Sequence, residues 1–185
     1  MICMPDLAPI VIGVAGRIGS GKSVVAHCLE REFGFQYLRY SLVLAEWSYA
    51  DPADKSRLQE IGGDVMAGEG QAELNRRLIN RIDRDRDVSV DGLRHPIDHA
   101  SLAEEFGARL FLLFVETPLN IRFQRSRDRY NSLEEFLVAD LHPVESNIDL
   151  LRPLAAVSIS GTMSGEELTS ELGRLMPLFR KRVGI

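Results

Sequence analysis

The stretch Gly16-Arg17-Ile18-Gly19-Ser20-Gly21-Lys22-Ser23 constrains this chain more than any other. It follows the apolar run Ile10-Val11-Ile12-Gly13-Val14-Ala15 and precedes Val24 to Phe33, which reads as a helix. Gly-x4-Gly-Lys-Ser between a strand and a helix is the pattern of a phosphate-binding P-loop. Glycines let the backbone wrap a phosphate with its N–H groups turned inward. The helix start adds a positive dipole at the same spot. The Lys22 ammonium can reach the β- and γ-phosphates of a nucleotide, and the Ser23 hydroxyl can hold Mg²⁺. The plainer alternative is a glycine turn that ends a strand, followed by a surface lysine. Spacing, strand, helix and position agree on the phosphate site. Residues Gly16 to Val24, including Arg17 and Ile18, are therefore the expected cradle for ATP with Mg²⁺.

The 185 residues suit one domain, residues 1–185, with a sizeable core, at 45% hydrophobic and 26% charged. A net charge of −5 argues against a general nucleic-acid or membrane-surface binder. Local basic clusters remain free to serve a small anionic ligand. The cysteines, Cys3 and Cys28, have no zinc-like spacing and do not make a disulfide framework. Cys28 reads as a small core residue of the first helix. Met1 to Pro9 lacks a basic segment followed by an apolar core, which argues against a signal peptide. No apolar run approaches the roughly 18 residues of a membrane span. A cytoplasmic protein, monomer or homodimer, is expected.

Strands and helices alternate along the chain. Residues 9–15 form a strand apolar on both faces, and a helix from about Lys22 to Phe33 ends at Gly34. Residues 35–40 read as a second strand, and Ser41 can cap a short helix to about Tyr49. After the Asp51-Pro52 turn, Leu58, Ile61, Val65 and Met66 give one apolar helical face. Gly62-Gly63 within it implies a break or close packing. Residues 71–84 form a further helix whose arginines 76, 77, 81 and 84 read as a solvated face. Val88 to Asp91 and Leu110 to Val115 are strands, with a helix over 97–106 between them. Thr117 is placed to cap a helix with Pro118 in its first turn, running through Arg129. Ser132 opens a helix to about Leu141, and Pro143 and Glu145 open another to about Leu151. Residues 155–160 are a last strand, and Ser164 starts the closing helix, to about Phe179. Such alternation implies a parallel sheet covered on both faces. Ligands of such sheets lie at the carboxyl ends of the strands, where the P-loop, Ser41, Asp91 to Pro96 and Glu116 all fall.

Asp91 and Arg94 form a second feature. An aspartate at a strand end near a P-loop can hold a Mg²⁺-bound water or act as a base. An arginine three residues later can fork onto a second phosphate or a carboxylate. Arg122, Arg125, Arg127 and Arg129 form a third. At helical spacing, Arg122, Arg125 and Arg129 lie near one face, and guanidinium groups there suit an anion that gains charge during transfer. His27, His95, His99 and His142 show no catalytic spacing and read as surface, cap or packing residues.

These segments resemble a family. Val11 to Phe35 looks like the opening of dephospho-coenzyme-A kinases and related nucleoside monophosphate kinases. Val90 to Pro96 resembles the acceptor-side segment written Asp-Gly-[Phe/Tyr]-Pro-Arg in adenylate kinases. Leu58 to Asp64 is similar to a segment of a dephospho-CoA-kinase-like group, and Arg122 to Phe136 resembles that group's lid. The resemblance spans roughly residues 9–175. It implies a P-loop NTPase of α/β class, a three-layer αβα sandwich whose five-stranded parallel sheet runs in the order 2-3-1-4-5. It implies acceptor-binding helices over about 41–84 and a lid over about 122–142. Lys22 and a lid arginine, Arg125 or Arg129, would stabilise the transferring phosphoryl group. Ser23 would take Mg²⁺ with Asp91 on its water shell. Arg94, Ser41 and Arg122 would face a small phosphorylated acceptor.

Three departures stand out. Dephospho-CoA kinases carry acidic residues just after strand two, whereas Arg39-Tyr40-Ser41-Leu42 has none and leaves Asp91 as the acid. The lid is short, with Tyr130-Asn131-Ser132 directly after the arginines. The last strand carries Ala155-Ala156 and Ser160 where the group has Ala-Asp and Asn. The leading expectation is transfer of the ATP γ-phosphoryl group to a nucleoside or deoxynucleoside monophosphate-like acceptor. Hydroxyl phosphorylation of the dephospho-CoA kind and a non-catalytic ATP-binding regulatory module are the alternatives. A GTPase lacks support because no Asn-Lys-x-Asp is present, and a motor-type ATPase because no hydrophobic run ends in Asp-Glu.

Overall fold

The computed structural model describes residues 9–184; Cys3 and nearly all of the N-terminal stretch read for a leader lie outside them. The strands are β1 (Val11–Ala15), β2 (Gln36–Arg39), β3 (Val88–Leu93), β4 (Leu110–Glu116) and β5 (Val157–Ser160). They form one parallel sheet in the order β2-β3-β1-β4-β5. This is the 2-3-1-4-5 order implied by the resemblance. The runs apolar on both faces, β1 and β4, lie side by side inside the sheet, where both faces are covered.

Alternation along each strand sends neighbouring side chains to opposite faces and creates two cores. On one face Ile12, Val14, Phe111 and Leu113 pack with Val25 and Leu29 of α1 (Lys22–Phe33) and with Leu168, Leu172 and Leu175 of α9 (Gly165–Arg182). Cys28 is buried in this core, as expected of a small apolar residue. On the other face Val11, Ala15, Leu112 and Phe114 meet α2 (Tyr40–Ser48), α4 (Gly70–Ile79) and α5 (Pro96–Phe106). Beyond α2 lies α3 (Lys55–Ala67), which continues unbroken through Gly62-Gly63. A Cβ on Gly62 would make only ordinary contact, 3.6 Å from Leu44 and 3.8 Å from Val144, whereas one on Gly63 would press on His142 at 3.3 Å.

The remaining helices are α6 (Leu119–Gln124), α7 (Leu133–Asp140) and α8 (Pro143–Ser146), the last running into a 3₁₀ segment, Asn147–Leu154. Ser132 caps α7 and Ser164 closes a capping box on α9, as expected. His95 and His142 accept the cap hydrogen bonds of α5 and α8, and His27 stacks on Tyr37. The arginines of the α4 region are solvated and paired, Arg76 and Arg77 with Glu73, Arg81 with Glu46 and Arg84 with Glu105.

Several helix ends and caps differ from the sequence expectation. The helix expected from Pro143 to about Leu151 is α-helical only to Ser146 and 3₁₀ beyond it. Helix α4 stops at Ile79 rather than at 84, because the Gln36 side chain takes the carbonyl of Arg81 (2.9 Å) and the N–H of Asp83 (2.8 Å). Helix α6 stops at Gln124 rather than Arg129, after which 3₁₀-type bonds join Ser126 to Phe123 and Arg129 to Ser126. Thr117 does not cap α6; Pro118 is the cap residue, and the Thr117 hydroxyl donates to the carbonyl of Ser20 at 2.8 Å. Ser41 does not cap α2, which begins at Tyr40 with Arg39 as its cap residue. No helix among the described residues is long and apolar enough to cross a membrane.

Candidate active site

The P-loop links β1 to α1 and is held from behind by side chains of four segments. The Arg122 guanidinium donates to the carbonyl of Ile18 (3.1 Å), and Thr117 holds that of Ser20. Arg17 reaches Asp149 (2.7 Å) and Asp140 (3.2 Å). Its side chain is thereby turned away from the loop's mouth, and only its backbone is left for a phosphate. Gly19 lies at φ +73°, and a Cβ there would come within 2.5 Å of the Arg122 carbonyl. Gly161, just past β5, packs so tightly that a Cβ would overlap the Ser20 carbonyl and the Thr117 hydroxyl. The loop is therefore pre-shaped by neighbours at the ends of β4 and β5.

Lys22 Nζ donates weakly to the Arg17 carbonyl at 3.5 Å. Desolvation pushes its ammonium below the ordinary lysine value; Glu145 opposes this most and Asp91 next, while Arg94 and Arg39 reinforce it. Ser23 donates to Asp91 Oδ2 at 2.7 Å, Tyr37 donates to the same oxygen at 2.9 Å, and Arg39 Nε lies 3.6 Å from it. Burial and the Asp91 charge push the Tyr37 phenol well up, which keeps it a donor. Asp91 is 0% exposed, and its Oδ1 has no partner. A buried, unpaired carboxylate oxygen beside a P-loop serine fits a divalent cation held through water and nucleotide phosphates. Among the described residues no cluster of three His, Cys, Asp or Glu ligands competes for that role. Ser23 and Asp91 are thus brought together as the sequence suggested.

A cleft of about 240 Å³ opens beside the P-loop. Lys22, Ser23, Ser41, Arg94 and Arg129 all border it. Ser41 presents a hydroxyl with no partner. Arg94 is fixed at both ends: its backbone N–H donates to Asp98 Oδ2 at 3.0 Å, and its Nη2 pairs with Glu145 Oε1 at 3.1 Å. Burial pushes the Asp98 carboxyl up, against the hydrogen bonds it receives from Arg94, His95 and Gln71. Arg125 stands at the P-loop, since a Cβ on Gly21 would lie 3.4 Å from its Nη1. Arg122 is not brought to the cleft, which corrects its expected part in acceptor binding. It is 7% exposed and donates to Asp140 at 2.6 and 3.1 Å. The helix that would have aligned it with Arg125 and Arg129 ends before either.

Three cleft residues escaped the sequence reading. Arg39 touches Asp91 from the end of β2, where the sequence offered no acid and drew no attention to the base. Lys55 borders the cleft from α3; desolvation, then Arg39, Arg129 and Arg94, pushes its ammonium down. Glu145 is 1% exposed in α8, borders the cleft, and leaves its Oε2 unpartnered. An acid in the first turn of a helix is an ordinary sight. Nothing local marked this one as buried. Arg39, Lys55, Arg94, Arg129 and Lys22 make the cleft strongly cationic within a chain that is acidic overall. That contrast focuses small anions on this one place.

The fold and this site define a P-loop kinase-like protein. No protein-family model matches the chain. A UPF0200 protein of Pyrobaculum aerophilum is 30% identical over 173 residues, spanning 90% of this chain and 96% of that one, and the chain belongs to the UPF0200 family. A dephospho-CoA kinase of Thermus thermophilus is 34% identical over 116 residues, 60% of this chain and 53% of that enzyme. In shape, the chain matches a shikimate kinase from Acinetobacter baumannii with a TM-score of 0.56, at 18% identity, over 93% of this chain and 95% of that one. That last likeness is one of fold.

Proposed function

We propose that the chain is an ATP-dependent small-molecule kinase that moves the γ-phosphoryl group to a small phosphate-bearing acceptor. A nucleoside or deoxynucleoside monophosphate-like molecule is the leading acceptor. The observation that carries this reading is one cleft in which the P-loop Lys22 and Ser23 stand beside Arg94, Lys55 and Arg129. Phosphoryl transfer through a loose transition state needs mainly positioning and charge stabilisation. The P-loop backbone and Lys22 orient the β- and γ-phosphates. Ser23 and Asp91 would hold Mg²⁺, which neutralises charge on the phosphate oxygens when bound. Arg125 at the loop and Arg129 at the cleft offset the charge that develops on the moving group. Arg94 grips the acceptor's anion. A monophosphate acceptor already brings an ionised oxygen and needs no base.

A second reading, phosphorylation of a hydroxyl on an anionic acceptor, is favoured by the buried acid Glu145 and by the partial likeness to a dephospho-CoA kinase. The test of the kinase reading is a coupled ADP-release assay with ATP, Mg²⁺ and a panel of nucleoside monophosphates, deoxynucleoside monophosphates and dephospho-CoA. Release that needs one acceptor and vanishes in Lys22→Ala is expected. Acceptor-independent release means an ATPase, and ATP binding without release means a regulatory module.

A further inference from the structure

On the kinase reading above in its second form, transfer to a hydroxyl, the buried carboxylate on the acceptor side of the cleft is the group that separates that form from the monophosphate one. Three acids lie at or beside the cleft, and their surroundings differ. Asp98 is taken up on both oxygens, by Gln71 on Oδ1 and by the backbone N–H groups of Arg94 and His95 on Oδ2. Asp91 also leaves one oxygen, Oδ1, unpartnered, but its Oδ2 is occupied by Ser23, Tyr37 and Arg39, and the Ser23 contact commits this acid to the P-loop side, where the free oxygen fits a divalent cation. Glu145 comes from the other side, on α8. One oxygen, Oε1, pairs with Arg94, and Oε2 has no partner although the residue is 1% exposed. Glu145 also borders the same cleft as Lys22, the residue that reaches the γ-phosphate of a bound nucleotide.

A buried acceptor oxygen without a donor is costly, and a native structure keeps one for a reason. A phosphate-oxygen nucleophile carries negative charge and no proton, so it would meet Glu145 as a like charge. A hydroxyl instead brings the missing donor. We propose that Glu145 is the general base of this site and that the acceptor atom is a hydroxyl oxygen of an anion-bearing molecule. Arg94 then has two tasks: it binds the acceptor's anionic group and fixes Glu145 through Oε1. In the step, the acceptor O–H bond breaks and its proton passes to Glu145 Oε2. The acceptor oxygen bonds to the γ-phosphorus, the bond from that phosphorus to the β,γ-bridging oxygen breaks, and ADP leaves. Glu145 returns the proton to water after product release. The acid missing after strand two is thus supplied from a different element, α8.

The experiment compares the intact chain with Glu145→Gln and Glu145→Asp in the acceptor panel named above, and identifies the product by ³¹P NMR. Those acceptors carry both hydroxyl and phosphate oxygens, and the spectrum separates a phosphate monoester from a phosphoanhydride. Glu145→Gln keeps size and hydrogen bonding but cannot take a proton, so kcat should fall by about 10²–10⁴-fold. Its KM for ATP should stay unchanged, which also shows that the variant folds. The wild-type kcat should rise with pH along an acid limb absent from the Gln variant, and Glu145→Asp should restore part of the rate and that limb. A phosphoanhydride product overturns the proposal, as does a Gln variant within about threefold of wild type, far below the loss of a working general base. Both results leave the kinase reading intact. Wild-type protein that binds ATP yet releases ADP with no acceptor overturns both, so the two failures are distinct.

Discussion

Replacing Asp140 by alanine tests how the P-loop is held. Asp140 is 4% exposed and accepts from both terminal nitrogens of Arg122, at 2.6 and 3.1 Å, and from Arg17 at 3.2 Å. The substitution leaves the buried Arg122 guanidinium with the Ile18 carbonyl as its remaining acceptor. Removing one partner of a buried ion pair costs about 3–5 kcal/mol, because the other charge stays buried and uncompensated. For a chain of this size each kcal/mol lowers Tm by about 2–4 °C, so the expected fall is about 6–20 °C. Asp149→Ala is the comparison. That side chain is 49% exposed, and its pair with Arg17 should contribute only about 0–1 kcal/mol. The double variant Arg122→Met with Asp140→Leu removes both charges and should recover most of the loss. The assay is thermal and urea unfolding of all four proteins. An Asp140→Ala variant no less stable than Asp149→Ala would refute the reasoning, and with it the assignment of Arg122 to scaffolding.

Gly161→Ala should weaken ATP binding and lower Tm, since the added methyl overlaps the Ser20 carbonyl and the Thr117 hydroxyl; equal ATP affinity by titration would show that the loop does not depend on this contact. Lys22 gives a pH signature. Its folded-state pKa lies below the ordinary 10.5, chiefly through desolvation, so the unfolded chain holds a proton that the folded chain has shed between those two values. Stability of the ligand-free protein gains from this group as pH rises through that window, and Lys22→Met should lack the gain. Parallel curves for the two proteins in urea unfolding from neutral pH to 10.5 would contradict it.

What could be read from the sequence was what local pattern controls. The apolar runs of β1 and β4, the serines that cap α7 and α9, and the Gly-x4-Gly-Lys-Ser spacing each act within a few residues, and each stands where the pattern put it. Asp91 was legible for the same reason: a strand end next to a P-loop leaves few positions for it. The lid arginines were not. Arg122, Arg125 and Arg129 share a residue type and a helical spacing, and only a partner 18 residues further on, Asp140, decides that Arg122 turns inward. Helix length failed similarly, since α4 ends where Gln36, 45 residues earlier, captures its backbone.

Glu145 shows the sharper limit. In the sequence it is an acid in the first turn of a helix, where exposed acids are common because the helix dipole favours them. What changes its meaning is burial against Arg94, which stands just past β3 and far away in sequence, in a cleft that Lys22 of α1 also borders. A carboxylate excluded from water and opposed by an arginine cannot be there for solubility. Its stability depends on Arg94, and its free oxygen depends on whatever enters the cleft. Scaffold and site meet in the short segment Asp140 to Glu145. Asp140 at its start locks the P-loop from behind, and Glu145 at its end borders the cleft in front. A perturbation of α7 that shifts this segment should therefore alter phosphate binding and acceptor turnover together, although α7 itself lies between neither pair of reacting groups.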